Sequence, residues 1–393
     1  MQALRIALLS QNGRLYSTRR IKEAAIKRGH DCKVLNTLKF GIYVEPKDPD
    51  LTFRGRRISH YDAIIPRIGS SISFYGASVV RQFEQMGVFS INSSIGIAIA
   101  RDKLRSMQAL SRHDIGVAST AFVRDKKDVL KAIERVGGAP VIIKLLEGTQ
   151  GVGVILAENT KIAEAIIETF QSTRQNVLVQ KFVKESKGKD IRAFVIGDKV
   201  VAAMRRRATG TEFRSNVHRG GTTEPVEITP EIERTAVRAA QIIGLRVAGV
   251  DMLESDNGLV IMEVNASPGL EGIEKATGVD IADAMIEYLE DHTRFGDPDI
   301  RQRLSFARGY VVAEFTVGDR DQLVGKTLAE SGLGERGIIV MSINRMGQHL
   351  PAPKGQDCIH AGDILLCYGP KMAVKEFIPT LQKRSRRRSS KKA

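Results

Sequence analysis

The chain opens on an apolar run, Leu4 to Leu9 in "LRIALLS", that stops at Ser10-Gln11-Asn12-Gly13 and reads as a buried strand and a turn. Apolar residues then recur at helical spacing in "STRRIKEAAIKRGHD", with Ser17 as the N-cap and Gly29 as the stop. "DCKVLNT" and "YDAIIPRIG" add two short strands, so the β-α-β order predicts an open, mostly parallel sheet over about the first 95 residues. After a connector around "SRHDIGVAST", "APVIIKLLEGTQGVGVILAEN" gives two strands about a glycine-rich turn, "KIAEAIIETFQ" a helix and "NVLVQKFV" a strand. "DIRAFVIGDKVVAAMRRRA" predicts an antiparallel hairpin turning at Gly197-Asp198. "PEIERTAVRAAQIIGL" reads as a helix with Pro230 in its first turn. "VAGVDMLES" and "GLVIMEVNAS" form a last hairpin turning at Asp256-Asn257-Gly258, and the helix "DIADAMIEYLEDHTR" closes the unit.

From Asp297-Pro298 to Gly309 the chain becomes polar and linker-like. The segments "YVVAEFTV", "VGKTLAES", "GIIVMSINR", "DILLCYG" and "KMAVKEFIPTLQ" then predict strand–helix–strand–strand–helix, a separate small αβ domain. The expected organisation is an α/β chain with domains at 1–96, 97–295 and 309–383, a linker at 296–308 and a basic tail at 384–393.

Charge narrows the picture. The net charge is +15, and seven of those charges lie in "KRSRRRSSKKA", which leaves about +8 on the body. That balance suggests an anionic partner: a nucleotide, an acidic peptide or RNA. The tail reads either as a disordered, solubilising end or as an RNA contact. Three cysteines, Cys32, Cys358 and Cys367, have no paired spacing, which fits a reducing cytoplasm and argues against a disulfide framework or a zinc site. No apolar run approaches the roughly 18 residues of a membrane span, and the N-terminus lacks the basic start and length of a signal peptide.

Three groups of residues carry candidate chemistry. "EGTQGVG", Glu147 to Gly153, puts three glycines between apolar strands, where backbone N–H groups can approach an anion. It is neither a Walker A loop nor a dinucleotide fingerprint, since no Gly-Lys-Ser/Thr and no helix follows. Lys144 interrupts the apolar strand before it and needs a partner, for which a nucleotide phosphate or a snorkelling edge position are the two readings. In the last hairpin Glu263 and Asn265 share a face, and Asp251 falls nearly opposite Glu263. Paired carboxylates repel unless a hard cation lies between them, and an all-oxygen set favours magnesium or manganese over softer metals; a structural acid pair is the alternative. Asp190 and Arg192 share another strand face, and Arg205, Arg206 and Arg207 cannot all face solvent on a strand. Arg214, Asn216, His218 and Arg219 add donors for phosphate or carboxylate.

Together these stretches resemble the ATP-grasp superfamily and, within it, the RimK family, which ligates glutamate to the C-terminus of the sixth small-subunit ribosomal protein. The resemblance is carried by "PRIGSSISFYG", "RDKLRSMQAL", "KLLEGTQGVGV", "DIRAFVIGDKVVAAMRRRA", "FRSNVHRGG", "AGVD" and "EVNASPGLEGIEKATGVDIA", over roughly residues 1–295. It implies an ATP-grasp fold with an N-terminal pre-ATP-grasp domain. It also implies that Lys103 and Lys144 contact ATP phosphates, and that the loop with Gly151 and Gly153 covers the triphosphate. By the same resemblance Lys181 and Phe182 lie where adenine binds, although the family often has Glu at Lys181. Asp190 takes the ribose side, and Arg214, Ser215 and Asn216 lie at nucleotide and substrate. Asp251, Glu263 and Asn265 would hold two magnesium or manganese ions. Arg206 or Arg207 would steady the oxyanion of a tetrahedral intermediate formed after an acyl phosphate. The same chemistry on a small-molecule acceptor or on free polyglutamate is an alternative, as is a nucleotide-sensing regulatory protein. The last hundred residues resemble the RCK C-terminal (TrkA-C) domain through "LVGKTLAES", "GIIVMSINRMG" and "IHAGDILLCYGP". That resemblance implies a dimerising, ligand-binding module, hence a homo-oligomer and a regulatory nucleotide.

Overall fold

Residues 6–9, fully buried, set the first strand, and everything that positions the site is built outward from it. The computed structural model describes residues 3–46, 48–113, 115–146, 153–209, 221–293, 309–319 and 321–377. The chain divides into two compact units, Met1–Gly296 and Asp297–Ala393.

In the first unit β1 (Arg5–Leu9) pairs in parallel with β2 (Asp31–Leu35). A small antiparallel sheet of β3 (Phe40–Tyr43), β4 (Asp50–Phe53) and β5 (Arg56–Arg57), which the sequence pattern did not suggest, follows. β6 (Ala63–Pro66) and β7 (Phe89–Ser90) complete a parallel sheet in the order β2-β1-β6-β7. The first helix, Tyr16–Lys27, has no side-chain cap. Ser17, expected to cap it, lies inside the first turn, where its hydroxyl accepts from the Leu270 N–H at 3.0 Å.

Two antiparallel sheets follow. β8 (Thr120–Phe122), β9 (Val141–Leu145), β10 (Val154–Ala157) and β11 (Val177–Lys181) lie in the order β10-β9-β11-β8. Helices Val129–Arg135 and Thr160–Ser172 close a core on that sheet around Ile133, Val141, Ile143 and Ile167. β12 (Lys189–Ile196), β13 (Lys199–Arg207), β14 (Thr222–Pro225), β15 (Val247–Ser255) and β16 (Gly258–Asn265) form a five-stranded sheet ordered β14-β13-β12-β15-β16. Helix Pro230–Ile243 starts on Thr229, whose hydroxyl accepts from Ile232 N–H, and ends on Gly244 at φ +82°. It buries Ile232, Ala236, Ala239, Ala240 and Ile243 against the sheet.

A charged seam ties the parallel sheet to helix Ile281–His292. Arg28 holds Glu290 through two bonds of 2.8 and 2.7 Å, and His30 meets the same carboxylate at 2.7 Å. The Arg28 and His30 bonds hold the Glu290 carboxyl down at about 2, against some opposing push from burial. A depressed pKa stabilises the fold above the unfolded carboxyl value, near 4.3, and that contribution is lost as pH falls through the folded value near 2. Glu290→Gln is therefore expected to cost about 2 kcal/mol at pH 6. In urea titrations the gap from the parent should narrow steadily below pH 4; a gap independent of pH would contradict this.

The second unit is an antiparallel sheet of β17 (Tyr310–Thr316), β18 (Ile339–Arg345), β19 (Gln348–Pro351) and β20 (Ile364–Pro370), ordered β17-β20-β18-β19. Phe315, Ile343, Leu365 and Cys367 form its core, with Val374 of helix Lys371–Phe377. The helix expected at "VGKTLAES" is absent. That stretch makes successive turns, with Gly325 at φ +81° donating to Ile359 O and Thr327 bridged to Cys358. A left-handed glycine at the second position of the segment interrupts the helix that the apolar spacing suggested. Among the described residues no helix is long and apolar enough to cross a membrane.

Candidate active site

The site is written on one face of the five-stranded sheet. Residues directly opposite on antiparallel strands point to the same side. The register pairs Asp190 with Arg206, Arg192 with Asp251, Asp251 with Glu263 and Gly249 with Asn265. Asp190, Arg192, Arg206, Asp251, Glu263 and Asn265 thus share one face. The hairpin joining β15 to β16 turns between Ser255 and Gly258, and a one-residue register shift between Asp251 and Met252 makes Asp251 and Glu263 direct cross-strand partners.

Two acids at the centre are braced by arginines. Arg206 donates to both oxygens of Asp190 at 2.7 and 2.5 Å and lies 2.9 Å from Asp251. Arg192 grips Asp251 through two bonds of 2.6 Å. Asp190, Arg206 and Asp251 are at most 3% exposed. Burial pushes the Asp251 carboxyl up, but Arg192 and Arg206 outweigh it and hold the group below the usual carboxylate range. Burial likewise opposes the Arg206 charge, and its two carboxylates reverse that and raise its pKa. Arg206 here is a strut between two acids, and each Asp190 oxygen accepts one bond from it. Arg192, to which the sequence reading gave no role, is the main partner of Asp251; the same-face spacing of Asp190 and Arg192 was the available signal.

Arg207 is turned to the opposite face, where it and Arg205 pair with Glu224 at 2.8 and 3.6 Å. Strand alternation therefore brings Arg206, and not Arg207, to the acids.

Across from the acids stand two lysines. Lys144 is paired in register with Val154, and Lys103, in helix Lys103–Leu110, donates to Leu145 O at 2.9 Å. Burial lowers the Lys144 pKa to about 8, opposed by Glu263 and Asp251 and assisted by Lys103. Burial lowers Lys103 too, with Glu263 opposing. Both ammonium groups thus feel Glu263 and are short of water, the environment in which an incoming anion is most strongly bound. Gly153, at φ +76°, leads into β10 beside the end of β9, its carbonyl accepting from Leu145 N–H at 2.8 Å: a Cβ there would meet Leu145 side-chain atoms at 2.6 Å. Gly151, Arg214, Ser215, Asn216, His218 and Arg219 lie outside the described residues. Lys181 is exposed at the end of β11, and its N–H already donates to Ser119 O at 2.9 Å, so its backbone donor is engaged; Phe182 beside it is half-buried.

The turn after β16 is pinned from both sides. The Asn92 side chain donates to Val247 O and Ala266 O and accepts from Arg246 and Val247 N–H, four bonds that fix the start of β15 against the exit of β16. Gly249 leaves room for Pro268, whose Cβ lies 2.7 Å from where a Cβ on Gly249 would stand. Asn265 Nδ2 is buried without a hydrogen-bond partner, as is Ser267 Oγ. Which end of a carboxamide is oxygen follows from its partners, so this orphaned end is open to an oxygen facing a cation. Among the described residues no three His, Cys, Asp or Glu side chains cluster as a metal cage. The donor set is instead the Glu263 carboxylate and the Asn265 amide with Asp251 beside them, hard oxygens of the kind magnesium takes together with phosphate and water.

Comparison with known proteins identifies the domains that carry these residues. A RimK PreATP-grasp domain model matches residues 4–97, a RimK-like ATP-grasp domain model residues 100–289, and a TrkA-C domain model residues 312–382. The chain is 60% identical over 384 residues to a probable alpha-L-glutamate ligase of Rhodopirellula baltica, spanning 98% of this chain and 95% of that one. It is 54% identical over 293 residues to a probable alpha-L-glutamate ligase of Azotobacter vinelandii, covering 75% of this chain and 97% of that one. Among solved structures, the ATP-grasp ligase PsnB complexed with a precursor variant, Mg and ADP superposes with TM-score 0.59 at 22% identity, over 75% of this chain and all of that one. A RimK domain ATP-grasp protein from Sphaerobacter thermophilus gives TM-score 0.56 at 22% identity, over 73% of this chain and 99% of that one. With its braced acids on one sheet, Lys144 on another and Lys103 on a helix, the chain belongs to the RimK family and is an ATP-grasp ligase.

Proposed function

We propose that this ligase uses ATP to join the amine of glutamate to an acceptor carboxylate, and that the acceptor is the C-terminus of an acidic peptide, foremost the sixth small-subunit ribosomal protein. The observation that carries the reading is the direct cross-strand pairing of Asp251 with Glu263, facing Lys103 and Lys144. The relatives' name supports glutamate, and the peptide-bound neighbour supports a peptide acceptor.

In this reading Lys103, Lys144 and the glycine-rich stretch ending at Gly153 receive the ATP phosphates. Glu263 and Asn265, with Asp251 behind them, would hold magnesium, which supplies charge neutralisation at the transferred phosphoryl group. An oxygen of the acceptor carboxylate attacks the γ-phosphorus, and the bond to the ADP oxygen breaks, leaving an acyl phosphate and ADP. The glutamate nitrogen then attacks the acyl carbon, the bond to phosphate oxygen breaks, and the amine proton leaves to solvent. Arg192 and Arg206 keep Asp251 ionised and oriented throughout. The chain's charge, about +8 apart from its tail, suits acidic reactants. The TrkA-C unit is assigned a ligand-binding, dimerising role responsive to a nucleotide. The tail, assigned to RNA, lies outside the described residues.

The test incubates the full chain with ATP, magnesium and glutamate, with and without the ribosomal protein, and follows ADP and acceptor mass. Glutamyl increments on the protein are expected; increments only on a small acceptor would overturn the peptide assignment. Lys144→Met is expected to weaken ATP binding roughly 10- to 100-fold in a calorimetric titration, since it removes a charge-assisted contact. Unchanged ATP affinity would remove Lys144 from the phosphate site.

A further inference from the structure

The parallel sheet of the first unit holds an unassigned pair of arginines. In the order β2-β1-β6-β7, β1 is flanked by β2 on one side and β6 on the other, so the winding reverses between β1 and β6. The crevice beyond the carboxyl ends of strands at such a reversal is where open α/β sheets take ligands. Arg67 is the first residue after β6, fixed there by its N–H donating to Leu9 O at 2.8 Å. Its guanidinium donates to Pro268 O at 2.7 Å, in the turn that follows Asn265. Arg101, at the end of helix Ser94–Arg101, donates to Ile68 O, and its Nε is buried without a partner.

Neither arginine has a carboxylate in ion-pair range among the described residues. Each guanidinium carries five N–H donors, and each spends one on a backbone carbonyl. Burial and the neighbouring Arg101 lower Arg67 to about 10, and burial lowers Arg101 against the pull of Glu263. Two desolvated like charges side by side are unfavourable until an anion joins them.

We propose that Arg67 and Arg101 form a clamp for a carboxylate of the incoming amino acid, placed beside the phosphate-binding lysines by Lys103 two residues on and by the Pro268 turn. The inference rests on the ligase reading above. Planar guanidinium forks match a carboxylate through paired bonds, whereas Lys103, Lys144 and the glycine hairpin already provide for phosphate. The amino acid of that reaction is a dicarboxylate, and a clamp of half-buried guanidiniums rejects an amide in place of the clamped carboxylate because its donors are left facing another donor.

The test titrates glutamate, its α-amide and its γ-amide into the full chain holding ADP and magnesium, and measures ligation kinetics in parallel. Arg67→Gln and Arg101→Gln, with Arg67→Lys and Arg101→Lys as charge-keeping companions, are checked for folding by thermal melting. The glutamine variants are expected to raise Kd and KM for glutamate roughly 10- to 100-fold, with KM for ATP changed less than about twofold. The lysine variants should fall between them and the parent. One of the two amides, the one without the clamped carboxylate, should bind the parent and the variants equally weakly. Loss of ATP affinity with glutamate unaffected would make this a phosphate site. A rise in acceptor KM alone would make it the acceptor's, and equal losses for glutamate and both amides would make it structural. A parent that fails to bind glutamate overturns the clamp. A parent that binds glutamate through these arginines yet forms no glutamyl product overturns the ligase reading and leaves the clamp standing.

Discussion

Glu263→Gln is expected to lower kcat/KM for ligation roughly 1,000-fold or more, equivalent to about 4 kcal/mol of transition-state stabilisation. The substitution keeps the shape of the side chain and removes one negative charge. That charge is the one that Lys103, Lys144 and Arg101 all feel. Because Asp251 is already held by two arginines, it does not substitute for Glu263 as a cation ligand. Excess magnesium should restore little, and Mn²⁺ binding in the presence of ADP, followed by electron paramagnetic resonance, should weaken in parallel. Thermal stability should change by only a few degrees, since Glu263 is half-buried and stands at the end of a strand. Full turnover in the variant would dismiss the metal assignment.

Arg206→Met is expected to act on the fold. It leaves Asp190 ionised and buried without the side-chain partner it has among the described residues, and takes one of two cations from Asp251. Removing one member of a buried ion cluster costs about 3–5 kcal/mol, because the remaining charge is uncompensated. In a unit of this size that corresponds to a fall in Tm of roughly 10 °C. The double variant Arg206→Met with Asp190→Leu should recover most of the loss, since an apolar pair needs no hydration. Failure of the second substitution to recover stability would mean that Arg206 braces something other than Asp190. Arg207→Met, on the exposed opposite face with Glu224, should change stability by less than about 1 kcal/mol.

Much of this site was legible because period-2 alternation is a strict rule. The Asp256-Asn257-Gly258 turn made Asp251 and Glu263 near neighbours across the hairpin; the one-residue shift between Asp251 and Met252, which the sequence did not show, makes them direct partners with Asn265 on the same face. Alternation also held the information that Arg206 and Arg207 face opposite ways, yet the family resemblance left both as candidates. What the chain could not show is contact between distant elements. Arg67 is a single basic residue in apolar surroundings and Arg101 one charge in the run Arg101-Asp102-Lys103, and their juxtaposition arises only when β6, helix Ser94–Arg101 and the Pro268 turn meet. Asn92 is similarly silent in sequence, although its amide locks the exit of β16. In the second unit, "VGKTLAES" has helical apolar spacing, but Leu323 is buried through a chain of turns instead. There the left-handed Gly325 and hydrogen bonds to the segment around Ile359 override local periodicity.

The central claim is that an acceptor carboxylate is activated by phosphorylation and then captured by an amine. Labelling both oxygens of the acceptor carboxylate with ¹⁸O and running the reaction with ATP, magnesium and glutamate reads this directly, because one labelled oxygen must depart with the phosphate. The account predicts one ¹⁸O in the released inorganic phosphate for each peptide bond formed, with ADP as the nucleotide product. Unlabelled phosphate, or AMP and pyrophosphate in place of ADP, would contradict it.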